Sequence, residues 1–166
     1  MSNVFFIADL HFGHKNIIRY ENEHRKFTEI DEHDEELVKR WNNVVTKNDI
    51  VWVIGDFCLG KSHLCKAGLL NGSKRLVMGN HDILPTVDYL QYFDKLYGVA
   101  TFDKLILTHV PVNENQFWRY THNIHGHTHS YKVLDKEGKI DKRYVNVSVE
   151  NINLTPISYD ELRLKF

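Results

Sequence analysis

Short apolar runs recur along the chain, and they predict most of its strands. Val4 to Ala8 is β-branched and aromatic, which is typical of a buried central strand. Further strands are predicted at residues 49–54, 75–78, 96–100, 104–108 and 121–125. Apolar side chains at helical spacing predict a helix at residues 30–45. Shorter helices are expected at residues 14–20, 62–70 and 86–93.

The order of these elements predicts an α/β fold. Early strands alternate with helices, which indicates a sheet with helices on its faces. Later strands follow one another closely, and residues 132–134 and 144–149 resemble hairpin arms across the turn-rich segment 135–138. We therefore expect a second sheet with antiparallel pairing. Because no linker, repeat or low-complexity tract interrupts the chain, residues 1–166 are predicted to form a single domain.

A short polar motif follows each of five predicted strands. The motifs are Asp9-Leu10-His11, Gly55-Asp56, Gly79-Asn80-His81-Asp82, Thr108-His109 and Gly126-His127-Thr128-His129. Each motif alone has an ordinary explanation as a turn, a capped polar pair or a packed histidine. However, loops that leave the carboxyl ends of strands converge on one crevice in α/β sheets. Together the motifs supply carboxylate, imidazole and amide ligands in numbers that suit two divalent cations.

The spacing inside the motifs indicates how the ligands would be shared. Alternate residues of a strand point to the same face, so Asp9 and His11 can grip one cation. His127 and His129 are again two residues apart, and they can present one imidazole to each metal. Asp56 can reach the first cation, and a carboxylate there could bridge two metals about 3.5–4 Å apart.

The bulk composition narrows the class of protein. With 42% hydrophobic and 26% charged residues, the 166-residue chain is expected to be globular. A net charge of −1 without a basic run argues against long nucleic acid as a partner. Cys58 and Cys65 form no C-x-x-C motif, so we interpret them as reduced side chains. No apolar run has the length of a signal or membrane segment, which favours a cytoplasmic location away from membranes.

In this order, the motifs D-x-H, G-D, G-N-H-D, H and G-H-x-H resemble those of the calcineurin-like metallophosphoesterase superfamily. The resemblance runs from Asp9 to about Glu150. The chain is most similar to the small uncapped bacterial and phage phosphoesterases, whose openings also read D-x-H-F-G-H before an Asn-Ile-Ile stretch; here these are residues 9–14 and 16–18. The resemblance implies a four-layered α/β/β/α sandwich with two mixed sheets flanked by helices.

The resemblance also implies a division of labour among the candidate residues. One metal would be held by Asp9, His11, Asp56 and His129, and a second by Asp56, Asn80, His109 and His127. His81 would face the phosphate without binding metal, so His81 and Asp56 are the predicted catalytic residues. Mn²⁺ is the first expectation for both sites, and Fe, Zn, Co or Ni also suit mixed nitrogen and oxygen ligands.

The predicted function is hydrolysis of a phosphoester by a hydroxide that bridges the two metals, with assistance from His81. Phosphodiesters and small phosphoesters or nucleotides are favoured over phosphoproteins, and phosphodiesterase activity is favoured over phosphomonoesterase activity. Because the chain has no room for a large cap domain, the site is expected to be open to solvent and to accept varied leaving groups. The alternatives are a nuclease for short nucleic acids and a catalytically silent interaction module on the same fold. The sequence leaves the oligomeric state open.

One position departs from the superfamily pattern. Some members place a carboxylate three residues after the Gly-Asp aspartate to orient the phosphate-facing histidine, whereas this chain has Leu59 there. Asp82 is a candidate substitute. Further residues near the motifs have weaker signals. His14, Lys15 and Arg19 could contact a phosphate or form a solvated helix face. We interpret Trp118 and Tyr120 as core aromatics beside a surface Arg119 rather than as a pocket for a base, and His122 and His125 as partners that orient ligand histidines.

Overall fold

Residues 2–166 are described by a computed structural model, in which two mixed sheets are flanked by helices. The strands are β1 (Val4–Ile7), β2 (Ile50–Val53), β3 (Ser73–Val77), β4 (Lys95–Tyr97), β5 (Ala100–Phe102), β6 (Leu105–Leu107), β7 (His122–His125), β8 (Tyr144–Asn146) and β9 (Ile157–Ser158). The α-helices are α1 (Ile17–Tyr20), α2 (Ile30–Val44), α3 (Lys61–Leu64), α4 (Thr86–Tyr89) and α5 (Tyr159–Arg163). Short 3₁₀ helices occupy Cys65–Leu69, Glu114–Trp118 and Val149–Asn151.

The first sheet has the order β4-β3-β2-β1-β9, and its first four strands run parallel. β9 closes the edge antiparallel to β1. The second sheet has the order β5-β6-β7-β8, in which only β5 runs antiparallel to its neighbour. Buried side chains of both sheets, such as Phe6, Leu76 and Ile124, belong to one apolar core. The predicted fold class is therefore confirmed.

The predicted hairpin between residues 132–134 and 144–149 is wrong. The turn closes early, because the backbone N–H of Asp135 donates to the carbonyl of Lys139 at 2.7 Å, and Leu134 pairs with Ile140. The chain beyond this turn does not return along residues 132–134, and β8 instead pairs parallel with β7. Antiparallel pairing in the second sheet is thus limited to β5 and β6.

The predicted strand at residues 96–100 is two strands in two different sheets. β4 ends at Tyr97 in the first sheet, and β5 begins at Ala100 in the second. Gly98 and Val99 make the crossing between them. An apolar run gives no sign of such a change of sheet, because both halves are equally suited to a buried strand.

The helices follow the hydrophobic pattern, although three of them are shorter than predicted. α2 spans Ile30–Val44 almost as expected and buries Leu37 and Trp41. The predicted helix at 62–70 is one α-helical turn followed by a 3₁₀ segment, and the helices at 14–20 and 86–93 each contain four residues. Within residues 2–166, we find no helix with the length and apolarity needed to span a bilayer.

Backbone hydrogen bonds join the two sheets where their strands end. The amide of Ala8, just after β1, donates to the carbonyl of Val147 at 2.9 Å, and the amide of Val149 donates to the carbonyl of Ala8 at 3.1 Å. The carboxyl ends of β1 and β8 therefore lie side by side. This junction brings the loops that follow the parallel strands of both sheets to one edge of the molecule.

Candidate metal centre

The seven predicted ligand residues meet at this edge. Each follows the end of a strand: Asp9 and His11 follow β1, Asp56 follows β2, Asn80 follows β3, His109 follows β6, and His127 and His129 follow β7. Contacts cross from one loop to the next, since the backbone N–H of His127 donates to Asp9 Oδ2 at 2.9 Å across 118 residues of chain. The fold thus brings together Asp and His side chains that could bind metal, because the loops that carry them lie next to one another.

Asp9, His11 and His129 form the first group. Their ligand atoms all lie within 4.8 Å of one another, and the rings of His11 and His129 stack at 5.2 Å. Asp9 Oδ1 and His11 Nε2 are buried and make no hydrogen bond within residues 2–166. Because unpaired buried polar atoms are costly, these two atoms indicate that a ligand completes the group, and their chemistry suits a divalent cation.

The second group is arranged around the side-chain oxygen of Asn80. This Oδ1 lies 3.0 Å from His109 Nε2 and 2.9 Å from His127 Nδ1. His109 is held by its other ring nitrogen, which is 2.9 Å from the carbonyl of Ile54. Two imidazoles and an amide oxygen converge here, and this donor set also fits a divalent cation.

Asp56 lies between the two groups. Its Oδ2 is 3.6 Å from His11 Nε2 and 3.3 Å from His109 Nε2. Its Oδ1 accepts the backbone N–H of His81 at 2.9 Å, which fixes the orientation of the carboxylate. One carboxylate oxygen is therefore shared between a histidine of each group.

The electrostatics of the site favour ionised carboxylates. Burial raises the pKa of Asp9, but the imidazole of His11, whose Nε2 lies 3.8 Å from Asp9 Oδ1, and the charges of His109 and His129 outweigh it and hold that pKa far below its ordinary value. The pKa of Asp56 is lowered in the same way, mainly by His109 acting against burial. Burial lowers the pKa of His109, yet its hydrogen bond to Asp56 and nearby carboxylates raise it to about 9. A cation that binds His109 must therefore displace a proton.

Five of the seven ligand residues adopt positive backbone φ angles. The values are 57° at Asp9, 52° at His11, 55° at Asp56, 67° at His127 and 49° at His129. Residues other than glycine adopt this left-handed backbone conformation infrequently because it is strained. Such backbone strain tends to concentrate at functional sites. The loops after β1, β2 and β7 therefore turn sharply at predicted ligand residues.

The glycines of two motifs permit close approach of the carboxylates. A Cβ on Gly79 would lie 2.2 Å from Asp56 Oδ1, and a Cβ on Gly126 would lie 2.5 Å from Asp9 Oδ2. Neither glycine has a positive φ, so the requirement at both positions is space and not backbone conformation.

We expect Gly79→Ala to weaken metal binding. The added methyl would lie 2.2 Å from Asp56 Oδ1 and 2.6 Å from the Asp56 backbone nitrogen, so both the carboxylate and the loop after β2 must shift. This displacement should cost about 10–100-fold in affinity, as loss of a supporting contact does. Calorimetric titration of metal-free protein with Mn²⁺ measures the effect. Gly98→Ala is the matched control, because no atom lies within 4 Å of its Cβ, and equal affinities in the two variants would contradict the steric explanation.

Asp82 does not orient His81. Its Oδ2 accepts the backbone N–H groups of Asp56 and Gly79, each at 2.8 Å, and its Oδ1 accepts that of Phe57 at 3.0 Å. The carboxylate thus ties the loop after β2 to the loop after β3. The His81 ring makes no hydrogen bond to the described part of the chain, and it lies 5.4 Å from the His11 ring.

The residues near the motifs with weaker signals differ in their distance from the ligand groups and in their burial. His14 Nδ1 is 3.4 Å from His11 Nδ1, while Lys15 and Arg19 are exposed. The interpretation of Trp118 as a core aromatic is wrong, because the side chain is 82% exposed. The Arg119 guanidinium lies over the ring of Tyr120 instead. His125 is buried with Nδ1 2.9 Å from the carbonyl of Gly126, whereas His122 stacks on Phe166 away from the ligands.

Three residues around the centre were missed by the sequence reasoning. Arg25 is completely buried and contacts the loop after β1, Ser148 donates to Asp9 Oδ2 at 2.6 Å, and Glu150 Oε1 lies 3.1 Å from His129 Nδ1. Ser148 and Glu150 follow β8, whose parallel pairing was not predicted. Arg25 stands in a polar stretch that carries no motif.

Buried histidines with lowered pKa values should make the folded protein less stable at acidic pH. Burial lowers the pKa of His33 and, despite the contact with Gly126, lowers that of His125 to about 4. Below the unfolded-state pKa near 6.5, the unfolded chain takes up protons that the folded chain does not. From His125 alone, the free energy of unfolding should then fall by up to about 1.4 kcal/mol per pH unit as the pH drops from about 6 towards 5, and His33 acts in the same direction.

Urea unfolding of metal-free protein between pH 7.5 and 5 measures this slope. His125→Gln should make this slope shallower by up to about 1.4 kcal/mol per pH unit, because glutamine does not titrate. A slope unchanged by this substitution would contradict the role of His125.

Comparison with known proteins places the chain in a family. It is 38% identical over 173 residues to the uncharacterized protein MJ1445 of Methanocaldococcus jannaschii, a match that covers 96% of this chain and 89% of that protein. It is also 31% identical over 186 residues to the gene 66 protein of Mycobacterium phage L5, with 90% and 87% covered. The chain belongs to the same family as these two proteins. The family thus has members in an archaeon and in a bacteriophage.

The fold of this family has a solved relative. The protein of unknown function AQ665 from Aquifex aeolicus matches with a TM-score of 0.77 and 26% identity, and 100% of both chains is covered. A predicted phosphoesterase from Streptococcus pneumoniae matches with a TM-score of 0.41 and 16% identity over 89% of this chain and 71% of that one. In a scan against family models, none matches the chain.

Proposed function

We propose that the protein is a phosphohydrolase that depends on two divalent metal ions. The observation that carries the proposal is the position of Asp56 Oδ2 between His11 Nε2 and His109 Nε2, with further ligand side chains on either side. Asp56 would hold both cations near each other, and two close cations would stabilise the attacking and the leaving oxygen of the reaction.

The proposed ligand sets divide between the two groups of side chains. Asp9, His11, Asp56 and His129 would hold one cation, and Asp56, Asn80, His109 and His127 the other. When bound, the cations supply an activated water and positive charge for the phosphoryl oxygens. The mixed nitrogen and oxygen donors of both groups suit Mn, Fe, Co, Ni or Zn, and by resemblance to the metallophosphoesterases we propose Mn²⁺ first.

His81 is the proposed partner of the phosphate. Its backbone N–H is anchored on Asp56 Oδ1, so its side chain is carried beside the shared carboxylate. The ring is partly exposed and stands 5.4 Å from the His11 ring and 6.2 Å from the His14 ring. From this position it can donate a hydrogen bond to a phosphoryl oxygen and a proton to the departing alkoxide.

The substrates that we propose are phosphodiesters and small phosphoesters or nucleotides. Asn80 and His127 are exposed, so the second group can be reached by leaving groups of different shapes. A net charge of −1 provides no basic stripe for a long polyanion. Both cysteines are free, which agrees with a reducing compartment, and we propose the cytoplasm.

Hydrolysis of bis-p-nitrophenyl phosphate tests the proposal. We expect turnover with added Mn²⁺, none in EDTA, and a rate about 10²–10⁴-fold lower in His81→Ala, the range for loss of a group that transfers a proton. His122→Ala is the control, because this histidine stacks on Phe166 and should leave the rate unchanged. Absence of metal-dependent hydrolysis in the wild type would contradict the proposal that the protein is an enzyme. A preserved rate in His81→Ala would contradict only the proposed role of His81.

A further inference from the structure

We propose that Glu150 and Arg25 are positioning residues for one of the two metals. Glu150 would orient His129, and Arg25 would tie Glu150 to the loop that carries Asp9 and His11. The inference rests on the proposed function, because it concerns the cation assigned to Asp9, His11, Asp56 and His129.

The contact between Glu150 and His129 fixes the histidine. Glu150 Oε1 lies 3.1 Å from His129 Nδ1, and the Glu150 side chain has no solvent exposure. With a carboxylate at this distance, Nδ1 carries the proton and donates it, so Nε2 keeps the lone pair that a cation needs. A carboxylate behind a ligand histidine raises its basicity and holds its ring in place.

Arg25 connects this carboxylate to the loop after β1. Its Nε and Nη2 lie 2.7 and 2.6 Å from Glu150 Oε1, across 125 residues of chain. The same Nη2 donates to the carbonyl of Asp9 at 2.6 Å, and Nη1 donates to that of Leu10 at 3.2 Å. One buried guanidinium therefore binds both the backbone carbonyls of the strained loop and the carboxylate that orients His129.

A second set of contacts supports the same loop from helix α2. His33 Nε2 accepts from Arg25 Nη1 at 3.0 Å, and His33 Nδ1 donates to Asp34 Oδ1 at 2.9 Å. Asp34 Oδ2 in turn accepts the backbone N–H of Gly13 at 2.9 Å. The loop is thus held by its carbonyls through Arg25 and by an amide through Asp34.

These contacts reach only one of the two ligand groups. Glu150 touches His129, and Arg25 touches the backbone of Asp9, while neither makes a hydrogen bond to Asn80, His109 or His127 within residues 2–166. A positioning role therefore predicts selective weakening of one cation. General loss of structure would instead weaken both.

Glu150→Gln tests the inference by direct metal binding. The amide keeps the shape of the side chain and removes the charge. We expect metal-free wild type to bind two equivalents of Mn²⁺ by calorimetry, and the variant to bind one of them about 10–100-fold more weakly, with the other changed by less than about twofold. The electron paramagnetic resonance signal of a coupled manganese pair should fade in the variant and return at high Mn²⁺.

Glu114→Gln is the matched control, since Glu114 is partly exposed on the surface and pairs with Lys136. Arg25→Lys provides a second variant, which keeps the positive charge but loses the forked contact, and it should weaken the same cation. Equal weakening of both cations, or none, would overturn the inference. Because binding is read without substrate, a wild type that binds two metals but hydrolyses nothing would defeat only the proposed function, and a wild type that binds no Mn²⁺ would defeat both.

Discussion

Replacing Asp56 with asparagine should lower kcat/KM for a phosphodiester by about 10³-fold or more. The substitution removes the charge shared between the two ligand groups and leaves His11 and His109 facing a neutral amide. Asparagine tolerates the positive φ of 55° at this position, and its carbonyl oxygen can still accept the N–H of His81. The fold should therefore persist, and the loss can be assigned to chemistry.

Steady-state kinetics with Mn²⁺ in excess measures the loss. Asp88→Asn is the control, since Asp88 is a buried carboxylate that pairs with Lys61 and has no contact with the ligand residues. His127→Ala, which removes a ligand of one metal only, should cost less than Asp56→Asn. Equal losses in these two variants would count against a bridging position for Asp56.

Replacing Arg25 with methionine should lower the free energy of unfolding by about 3–5 kcal/mol. Methionine fills part of the space but leaves the Glu150 carboxylate buried without its counter-charge, the situation in which broken buried ion pairs are most costly. The carbonyls of Asp9 and Leu10 lose their donor as well. Urea unfolding in EDTA measures the change without a contribution from bound metal.

The matched comparison is Arg40→Met. Arg40 pairs with Glu36 and also donates to the carbonyl of Asn153, but it lies at the surface, and its loss should cost less than about 1 kcal/mol. If the two variants were destabilised equally, the burial of Arg25 would not be the reason for its effect.

The clustering of the proposed ligand residues could be predicted because each of them is defined locally. Asp9, Asp56 and Asn80 stand directly after apolar runs, and the carboxyl ends of parallel strands share one edge of a sheet. The supporting residues could not be predicted in this way. The charge of the buried Arg25 is balanced by Glu150, 125 residues further along, which lies beside it in the folded chain. No local pattern records a partner at that distance.

The second sheet shows the same limit for strand pairing. The turn at residues 135–138 was correctly located, but a turn indicates only that the chain reverses there. Tyr144–Asn146 joins the edge of β7 that faces away from β6, and no local feature of the sequence specifies that edge. Register and direction therefore followed from tertiary structure, whereas the positions of the strands followed from hydrophobicity.

Both proposed metal sites draw ligands from the two sheets that meet at Ala8 and Ser148. A bound cation would therefore act as a cross-link between the sheets, closing a loop such as the one between Asp9 and His129. An unfolded chain would gather these ligands only at a large entropic cost, so the cation should bind the native state almost exclusively. Each tenfold rise in free metal above the dissociation constant would then stabilise the protein by about 1.4 kcal/mol. The supply of metal in the cell would thus set how long the protein persists there, as well as how fast it works.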